Sequence, residues 1–270
     1  MRNRIIGGLL AVTAFATPAV AQSDWTGFHV GARAGVADAR GGSERIEFDT
    51  NLDGNFGDTV RTTAPADAFS PGFCDGAAND RTPAEGCRKD KEKGDYAVMA
   101  GYDRQFGSLV VGMVGEIGRS SATDSVSAFS TTPAFYTMTR QIRGNAAIRA
   151  RLGVAIGNTL PFVTAGIASA KVRHSFATSN TANTFPQRDD DEKATGLRFG
   201  GGVEQRFGPL AIGLLYLGTR YKDDDYRVRA AGPAPATNPF ILVNPAGTDF
   251  RRSDGRFMTH SLSLTAGFRF

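Results

Sequence analysis

Eight segments of this sequence alternate between apolar and polar residues, and the connections between them alternate strictly between short and long. The pattern predicts strands at about 28–38, 94–106, 109–120, 138–155, 160–174, 194–207, 210–221 and 257–270. Three connections are tight turns, whereas the other four, at about 39–93, 121–137, 175–193 and 222–256, are long and polar. This sorting predicts an antiparallel sheet in which every large loop lies at the same end.

The residues within each segment separate into two faces. In the last segment one face is apolar from Leu262 to Phe270, and the other carries Ser263, Thr265 and Arg269. An apolar face can contact lipid while a polar face lines the interior of a barrel. Because unpaired backbone groups find no water in hydrocarbon, such a sheet has to close. We therefore predict an all-β fold, an eight-stranded antiparallel up-and-down transmembrane β-barrel with long outer loops and short periplasmic turns.

The first 21 residues have the pattern of an export signal. Arg2 and Arg4 give a positive start, residues 5–16 are a short apolar run, and residues 19–21, Ala-Val-Ala, are typical of a cleavage site. The apolar run is too short for a membrane-spanning helix, which needs about 20 residues. We predict a signal peptide at 1–21, a mature barrel domain at 22–270, and localisation in the outer membrane of a Gram-negative cell.

Composition and charge exclude one class of partner. The formal charge of +4 falls to +2 when Arg2 and Arg4 leave with the signal, since 29 basic residues then face 27 acidic ones. The basic residues are scattered among acidic ones, so a nucleic-acid partner is not expected. The 33 glycines and 19 phenylalanines favour strands, turns and aromatic girdles over helices. By composition alone, a membrane barrel and an exported soluble β-protein both stay open.

The sequence contains two cysteines, Cys74 and Cys87, in a polar segment of the first long loop. In an exported protein the oxidising compartment makes a disulfide the expected state. The chain-entropy contribution of closing so short a loop is about 3 kcal/mol. A metal site would need further ligands nearby, and the segment has no histidine. We therefore predict a disulfide bond between these residues.

Nine charged residues fall on the face that is predicted to line the barrel. They are Arg33, Asp103, Glu116, Arg149, Arg151, Arg198, Glu204, Arg206 and Arg269. An eight-stranded barrel is just wide enough for side chains to fill it, and buried charges need partners or water. We therefore expect arginine–carboxylate pairs that plug the interior. The excess of arginine leaves a narrow, anion-favouring pore as the alternative.

Several strand segments resemble those of a known family. They read DWTGFHVGARAGVA, AGYDRQFGSLVVGMVGEIG, AIRARLGVAIGNTLPFVTAGIASA, GGVEQRFGPLAIGLLYL and, at the end, HSLSLTAGFRF. These resemble the opacity-type, porin-family outer-membrane proteins of alphaproteobacteria, which include the surface antigens of Brucella and its relatives. The resemblance implies a barrel like that of outer membrane protein A, with surface-exposed loops. It also implies that Phe270, with Phe268 before it, is a signal for the barrel assembly machinery, in addition to any place in the aromatic girdle.

An enzyme on such a barrel would need a nucleophile beside a general base. His174 is followed by Ser175 and His260 by Ser261, but adjacent strand residues point to opposite faces, so neither pair can form a dyad. The acidic runs 189–192 and 223–225 lack the spacing of a calcium loop and are typical of solvated charge. No catalytic residue, metal site or cofactor is therefore expected.

These observations predict a non-enzymatic outer-membrane barrel that supports envelope integrity and surface display. Two alternatives stay open: a narrow passive diffusion pore, and a surface adhesin or haem-binding protein whose outer loops bind a host or environmental ligand. The expected partners are outer-membrane lipid, lipopolysaccharide and the barrel assembly machinery. The expected assembly is a monomer or a weak oligomer.

Overall fold

The computed structural model describes residues 23–40, 45–189 and 191–270, so the predicted signal peptide lies outside the described residues. Within these ranges the chain is almost entirely β-structure. The helical part there is one 3-10 turn, Pro83–Glu85, and no described helix is long and apolar enough to cross a membrane. The strands, in chain order, are β1 (Gly27–Arg40), β2 (Ile46–Asp49), β3 (Gly72–Asp75), β4 (Ala77–Ala78), β5 (Cys87–Arg88), β6 (Lys93–Phe106), β7 (Leu109–Ser120), β8 (Thr123–Ser130), β9 (Ala134–Val154), β10 (Thr159–Thr178), β11 (Gln187–Arg188), β12 (Asp191–Phe207), β13 (Leu210–Lys222), β14 (Arg227–Ala230), β15 (Thr248–Arg252) and β16 (Arg256–Arg269).

Eight of these strands form a closed antiparallel ring. Neighbours are hydrogen-bonded in the order β1, β6, β7, β9, β10, β12, β13 and β16, and β16 pairs with β1 to complete the circle. The seam between the first and last strands runs from the pair His29–Arg269 to the pair Arg40–Met258. The predicted eight-stranded up-and-down barrel is thus confirmed.

The wall of the barrel has an apolar outside and a polar inside. On β16, Leu262, Leu264 and Phe268 are exposed, whereas Ser263 and Thr265 are buried. The same alternation occurs along β7, where every second residue is exposed from 109 to 119. Exposed apolar side chains thus surround the barrel and form its lipid-facing surface.

The tight turns at the opposite end from the long loops depend on glycine. Gly107 follows β6 and Gly208 follows β12, with φ angles of +62° and +61°. Two-residue hairpin turns need this left-handed conformation because it matches the twist of the flanking strands, and glycine adopts it without a steric penalty. These short turns form the periplasmic end.

Strands β9 and β10 are longer than the sequence pattern predicted, and β9 changes face along its length. They contain 21 and 20 residues, about twice the 9–11 that a spanning strand needs. At Arg143 the register between the two strands shifts, and no residue of β10 lies opposite. Odd-numbered β9 residues such as Arg149 face inward on the periplasmic side of this bulge, and even-numbered ones such as Arg140 do so beyond it. Both strands therefore project above the membrane.

The four long loops fold together into a structure over the outer mouth, which we call the cap (residues 45–92, 121–143, 175–189 and 223–255). Strands from three loops form a second sheet in the order β11, β14, β15 and β2, while β3 pairs with β8 from the remaining loop. Three of the loops share one hydrophobic core of buried residues, and Phe176 and Phe185 of the third long loop, both partly buried, pack against it. The buried members are Ile46, Phe48, Val60, Ala68, Phe69, Val126, Ala128, Ala134, Tyr136, Met138, Tyr226, Val228, Ala230, Phe240 and Phe250.

Phe250 of β15 lies at the centre of this core. Its side chain is fully buried, and its ring centroid is 4.9 Å from that of Phe48, 5.4 Å from that of Phe240 and 5.9 Å from that of Tyr136. These neighbours come from the first, fourth and second long loops. The loops are therefore held by aromatic packing between segments that are far apart in the sequence.

We predict that Phe250→Ala destabilises the cap by about 3–5 kcal/mol, because it leaves a large cavity at the junction of the loops. In limited proteolysis of the membrane-embedded protein, the long loops should be cut faster, while the barrel still shows its folded mobility on unheated gels. The control is Phe73→Ala, since Phe73 lies in the cap but is exposed. Equal protease resistance of Phe250→Ala and wild type would contradict a shared core.

Candidate functional site

The candidate functional site is the barrel interior, where the charged residues meet in two layers. The outer layer is centred on Glu116 of β7, which is buried among three guanidinium groups. Arg149 donates to Oε2 of Glu116 at 2.8 Å, Arg33 lies 3.4 Å from the same oxygen, and Arg198 bonds to Oε1. Arg33 also pairs with Asp95. Three cations and two carboxylates therefore fill this layer.

The inner layer is centred on Asp103 of β6, nearer the periplasmic end. Arg151 binds its carboxylate with two bonds, Nε to Oδ1 at 2.9 Å and Nη2 to Oδ2 at 2.8 Å, and Arg269 pairs with it as well. Arg151 also donates to Glu204 at 2.9 Å. The Arg269 guanidinium lies 4.8 Å from the ring centroid of Trp25, which is fully buried. The Trp25 ring thus covers the layer on the periplasmic side.

The two layers leave little free volume. Arg33, Arg149, Arg151, Arg198 and Arg269 face four carboxylates, which gives an excess of one positive charge. The cavity beside them has a volume of about 30 Å³, far below the roughly 300–1,000 Å³ of a typical small-molecule site. Charges in such a confined space are stabilised by their partners rather than by solvent. The arrangement can therefore hold the wall rigid, but it offers little room for a solute.

A third group of charges, buried except for the partly exposed Asp254, lies where the barrel meets the cap. We call it the neck network, and it consists of Asp124, Arg140, His174, Asp223, Arg252 and Asp254. The carboxylate of Asp124 accepts from Arg140 at 2.6 Å and from Arg252 at 3.0 Å. Arg140 is also 3.1 Å from Asp254, and its guanidinium lies 4.2 Å from the ring centroid of Phe257. Arg140 thus ties β9 to β8 and to the last loop.

His174 and Asp223 extend the neck network to the other side of the mouth. The Nε2 atom of His174 is 3.0 Å from Oδ1 of Asp223, and the imidazole stacks on the ring of Tyr226 with centroids 4.4 Å apart. Asp223 was expected to belong to a solvated acidic run. It is instead buried, because the cap covers it, whereas Asp224 and Asp225 are exposed.

Burial changes the protonation equilibria of the neck network. Desolvation raises the pKa of Asp124 to about 6, against the opposing effect of Arg140. Desolvation also lowers the pKa of the Arg252 guanidinium to about 10. In both residues burial disfavours the charged form. The two groups stay charged because each is paired with an opposite charge. Removing one cation would leave a carboxylate buried without full compensation.

The structure places most of the predicted interior charges in the two layers. Those that it brings together are Arg33, Asp103, Glu116, Arg149, Arg151, Arg198, Glu204 and Arg269. Arg206 instead lies at the periplasmic rim, where it donates to the backbone carbonyl oxygens of Asp24 and Gly208. Its strand ends one residue later, at Phe207, so the side chain reaches the rim rather than the layers.

Two further predicted pairs lie outside the interior. Cys74 and Cys87 are joined by a disulfide in the cap, with their Cα atoms 6.2 Å apart. Phe268 and Phe270 are exposed on the outer wall at the periplasmic end, with ring centroids 5.4 Å apart. The backbone N–H of Phe270 donates to the carbonyl oxygen of Phe28, which extends the seam to the last residue of the sequence.

Sequence reasoning missed Asp95 and the neck network. Asp95 shares the inward parity of Asp103 on the same strand, so the period-2 pattern could have found it. Arg140 is even-numbered, so the period-2 pattern of its predicted strand places it on the outward face. The bulge at Arg143 turns it inward, and nothing clear in the sequence indicates that bulge. Asp124 and the other loop residues of the neck network lie in segments where the sequence shows no regular alternation of apolar and polar residues.

The three histidines are placed as follows. His174 is buried in the neck network, and Ser175 is exposed on the opposite side of β10. His260 stands on the outer wall, where its Nδ1 lies 2.6 Å from the hydroxyl of Tyr216. His29 lies in the interior with its Nδ1 3.5 Å from Asp103. Among the described residues, no group of three or more His, Cys, Asp or Glu is arranged to hold a metal ion.

A closed ring of eight strands, apolar outside and filled by ion pairs inside, defines an outer-membrane β-barrel. The family model described as the outer membrane protein beta-barrel domain matches residues 7–270. The chain therefore belongs to this family, and the outer membrane is its location. The comparison with curated proteins gives no significant match.

Solved structures include barrels of the same kind. The chain is similar to the outer membrane protein OprG from Pseudomonas aeruginosa, with a TM-score of 0.50 and 10% identity over 92% of this chain and 99% of that one. A weaker likeness, with a TM-score of 0.34 and 11% identity, links it to Ail, the attachment invasion locus protein of Yersinia pestis, over 90% of this chain and 99% of that one. At these identities the likeness to OprG shows the fold alone.

We predict that Arg140→Ala destabilises the cap by about 3–5 kcal/mol, because it removes a guanidinium group that pairs with the buried Asp124 carboxylate. Hydrogen–deuterium exchange should become faster in segment 121–142, while exchange in the spanning parts of β7 and β9 changes little. Arg143→Ala is the matched control, because Arg143 lies on the same strand and is exposed. Equal rates of hydrogen–deuterium exchange in segment 121–142 of the two variants would contradict a structural role for the neck network.

Proposed function

We propose that this protein is a closed, non-enzymatic outer-membrane barrel that anchors a folded cap at the cell surface and thereby serves envelope integrity and surface display. One observation carries the proposal: side chains from three outer loops share one buried hydrophobic core, and Phe176 and Phe185 of the remaining loop pack against it. Loops that merely connect strands tend to be mobile and to lack such a core. A stable surface structure on a filled barrel fits anchoring and display better than it fits solute transport.

Finer aspects of this proposal rest on the sequence. Export with cleavage of the signal near Gln22, membership of the opacity-type, surface-antigen group, and recognition of Phe270 by the barrel assembly machinery all stay predictions. The exposed position of the Phe270 side chain supports the last of these, because a recognition signal has to be accessible. The same position also fits an aromatic girdle at the periplasmic interface.

The diffusion pore is the alternative against which the proposal is tested. A pore would need a continuous wet path, whereas the ion-pair layers around Glu116 and Asp103 and the aromatic ring of Trp25 follow one another along the axis. Above them, the neck network and the cap core cover the mouth. These barriers act in series, so a solute would have to displace all of them.

We predict that the folded protein gives no steady single-channel openings in planar lipid bilayers at neutral pH. The physical reason is that several paired guanidinium groups would have to move together to open a path. A general porin reconstituted under the same conditions is the positive control for insertion and detection. Stable openings of uniform size in the folded, heat-modifiable fraction would replace the anchoring role with a transport role.

A binding function at the cap is a second candidate, which one observation favours. Leu242 and Val243 are exposed in segment 231–247, which joins β14 to β15 at the membrane-distal end of the cap. Two adjacent exposed apolar side chains at a loop tip offer a ligand a small apolar contact. If the protein is an adhesin or a haem-binding protein, this tip is where its ligand would be expected.

For this candidate we predict that replacing Leu242 and Val243 with serine lowers ligand or host-cell binding at least fivefold, because both apolar contacts are lost. Cells that display each variant would be tested for adhesion and for haem uptake, with surface amounts matched by labelling. Phe73→Ser is the control, since Phe73 is exposed elsewhere on the cap. Unchanged adhesion and haem uptake in the tip variant would exclude the tip as the binding surface.

A further inference from the structure

The outer wall of the barrel contains an apolar groove. It is shallow and open to the surroundings, and five neighbouring strands, β6, β7, β9, β10 and β12, each contribute three consecutive residues. The middle residue of each triplet faces inward, so the outward side chains form the groove. Large ones protrude at Val98, Ile117, Ile148, Ile167 and Leu197, and small or short ones stand between them at Ala100, Gly115, Ala146, Ser169 and Thr195.

Cations border the groove on its outer side. Two residues further along the strands from Ile117, Ser169 and Thr195, about 7 Å towards the cap, stand Arg119, Lys171 and Lys193. Arg119 and Lys171 both pair with Gly144 in the register of the sheet, and Lys171 lies directly opposite Lys193. All three cations therefore belong to one cross-strand row, and all are exposed.

More cations adjoin the same groove. Arg143, in the bulge of β9, is exposed beside this row. On β13, Arg220 lies opposite Leu197 and Lys222 lies opposite Thr195, so this edge is basic as well. Lys222 is within 3.0 Å of Asp224. The apolar surface is thus bordered by positive charge on the side that faces the cell exterior.

The basic row brings like charges together. Like charges directly opposite each other on neighbouring strands repel, and Lys171 and Lys193 stand in that relation. Among the side chains that the structure describes, no carboxylate lies within salt-bridge distance of Arg119, Lys171 or Lys193. The charges of the interior, by contrast, are closely paired. An anion from outside the chain would therefore relieve the repulsion.

We propose that this groove and its basic border form a binding site for a phosphorylated, multiply acylated lipid of the outer leaflet, namely lipopolysaccharide through its lipid A part. The groove would hold acyl chains, and the row Arg119, Lys171 and Lys193 would bind phosphate groups at headgroup level. The order of the two surfaces matches such a lipid, since the apolar part lies towards the membrane centre and the charged part towards the cap. The proposal rests on the outer-membrane location and not on whether the barrel conducts.

Binding of fluorescent deep-rough lipopolysaccharide to the purified, folded protein in detergent micelles tests this site. The double variant Lys171→Glu, Lys193→Glu should weaken binding at least tenfold, and Gly115→Leu should weaken it at least fivefold by filling the groove. A Cβ at Gly115 meets nothing closer than the carbonyl oxygen of Ala100 at 3.9 Å, so the barrel should tolerate the change. Unheated gels would verify that each variant is folded.

Matched controls separate the site from general charge and surface effects. The double variant Lys89→Glu, Lys91→Glu makes the same charge change as the lysine variant, but in the first long loop. Ala150→Leu places the same leucine side chain as Gly115→Leu on the lipid face, but outside the groove. Both control variants should bind the lipid within twofold of wild type. Removing the phosphates from the lipid should mimic the lysine variant, whereas millimolar inorganic phosphate should compete weakly. Equal binding by all variants would overturn the proposal, as would full competition by phosphate alone. Crosslinked dimers lost in Gly115→Leu, without lipid binding, would assign the groove to a second copy instead.

Discussion

Satisfaction of backbone hydrogen bonds in hydrocarbon is the constraint on which the rest of the structure depends. Each unpaired peptide group there costs several kcal/mol, so β1 and β16 have to meet along their whole length. At one point the close approach of the two strands requires glycine: Gly31 lies opposite Gly267, and a Cβ at Gly31 would come within 2.6 Å of the Ala266 carbonyl oxygen. Closure with eight strands fixes a narrow interior. The interior arginines then have to pair with carboxylates because no bulk water can reach them.

Charge is sorted by location in this barrel. Inside, Glu116 and Asp103 each hold more than one guanidinium group, and at the mouth Asp124 does the same. On the outer wall, cations such as Lys171 and Lys193 have no carboxylate partner among the described side chains and stand near the exposed apolar surface. Buried charges without partners would be prohibitively costly, whereas exposed ones can be compensated by solvent or by lipid headgroups. The charges of the interior are therefore compensated within the protein, whereas those of the outer rim are compensated by solvent or lipid.

The fold and the interior could largely be predicted from the sequence, but the cap and its neck could not. A period of two assigns Arg33, Arg151 and Arg269 to the inside because each spanning strand is regular and half-buried. That rule fails at Arg140, since one unpaired residue at Arg143 exchanges the two faces of β9. The period-2 rule cannot be applied to the long loops, because they have no regular alternation of apolar and polar residues. Their structure comes from contacts such as that of Phe48 with Phe250, about two hundred residues apart in the sequence. The loops were expected to be polar, surface-exposed segments, and the structure shows that they pack around a common core.

The cap core also sets an order of events during assembly. It needs Ile46 near the start of the barrel and Phe250 near its end, so contacts of very large sequence separation have to form before it is complete. Such contacts are kinetically slow because a long chain segment must first be brought into place. The aromatic cluster is therefore complete only when the fourth long loop has reached the first, so a correctly packed cap reports at the cell surface that the two ends of the barrel have come together.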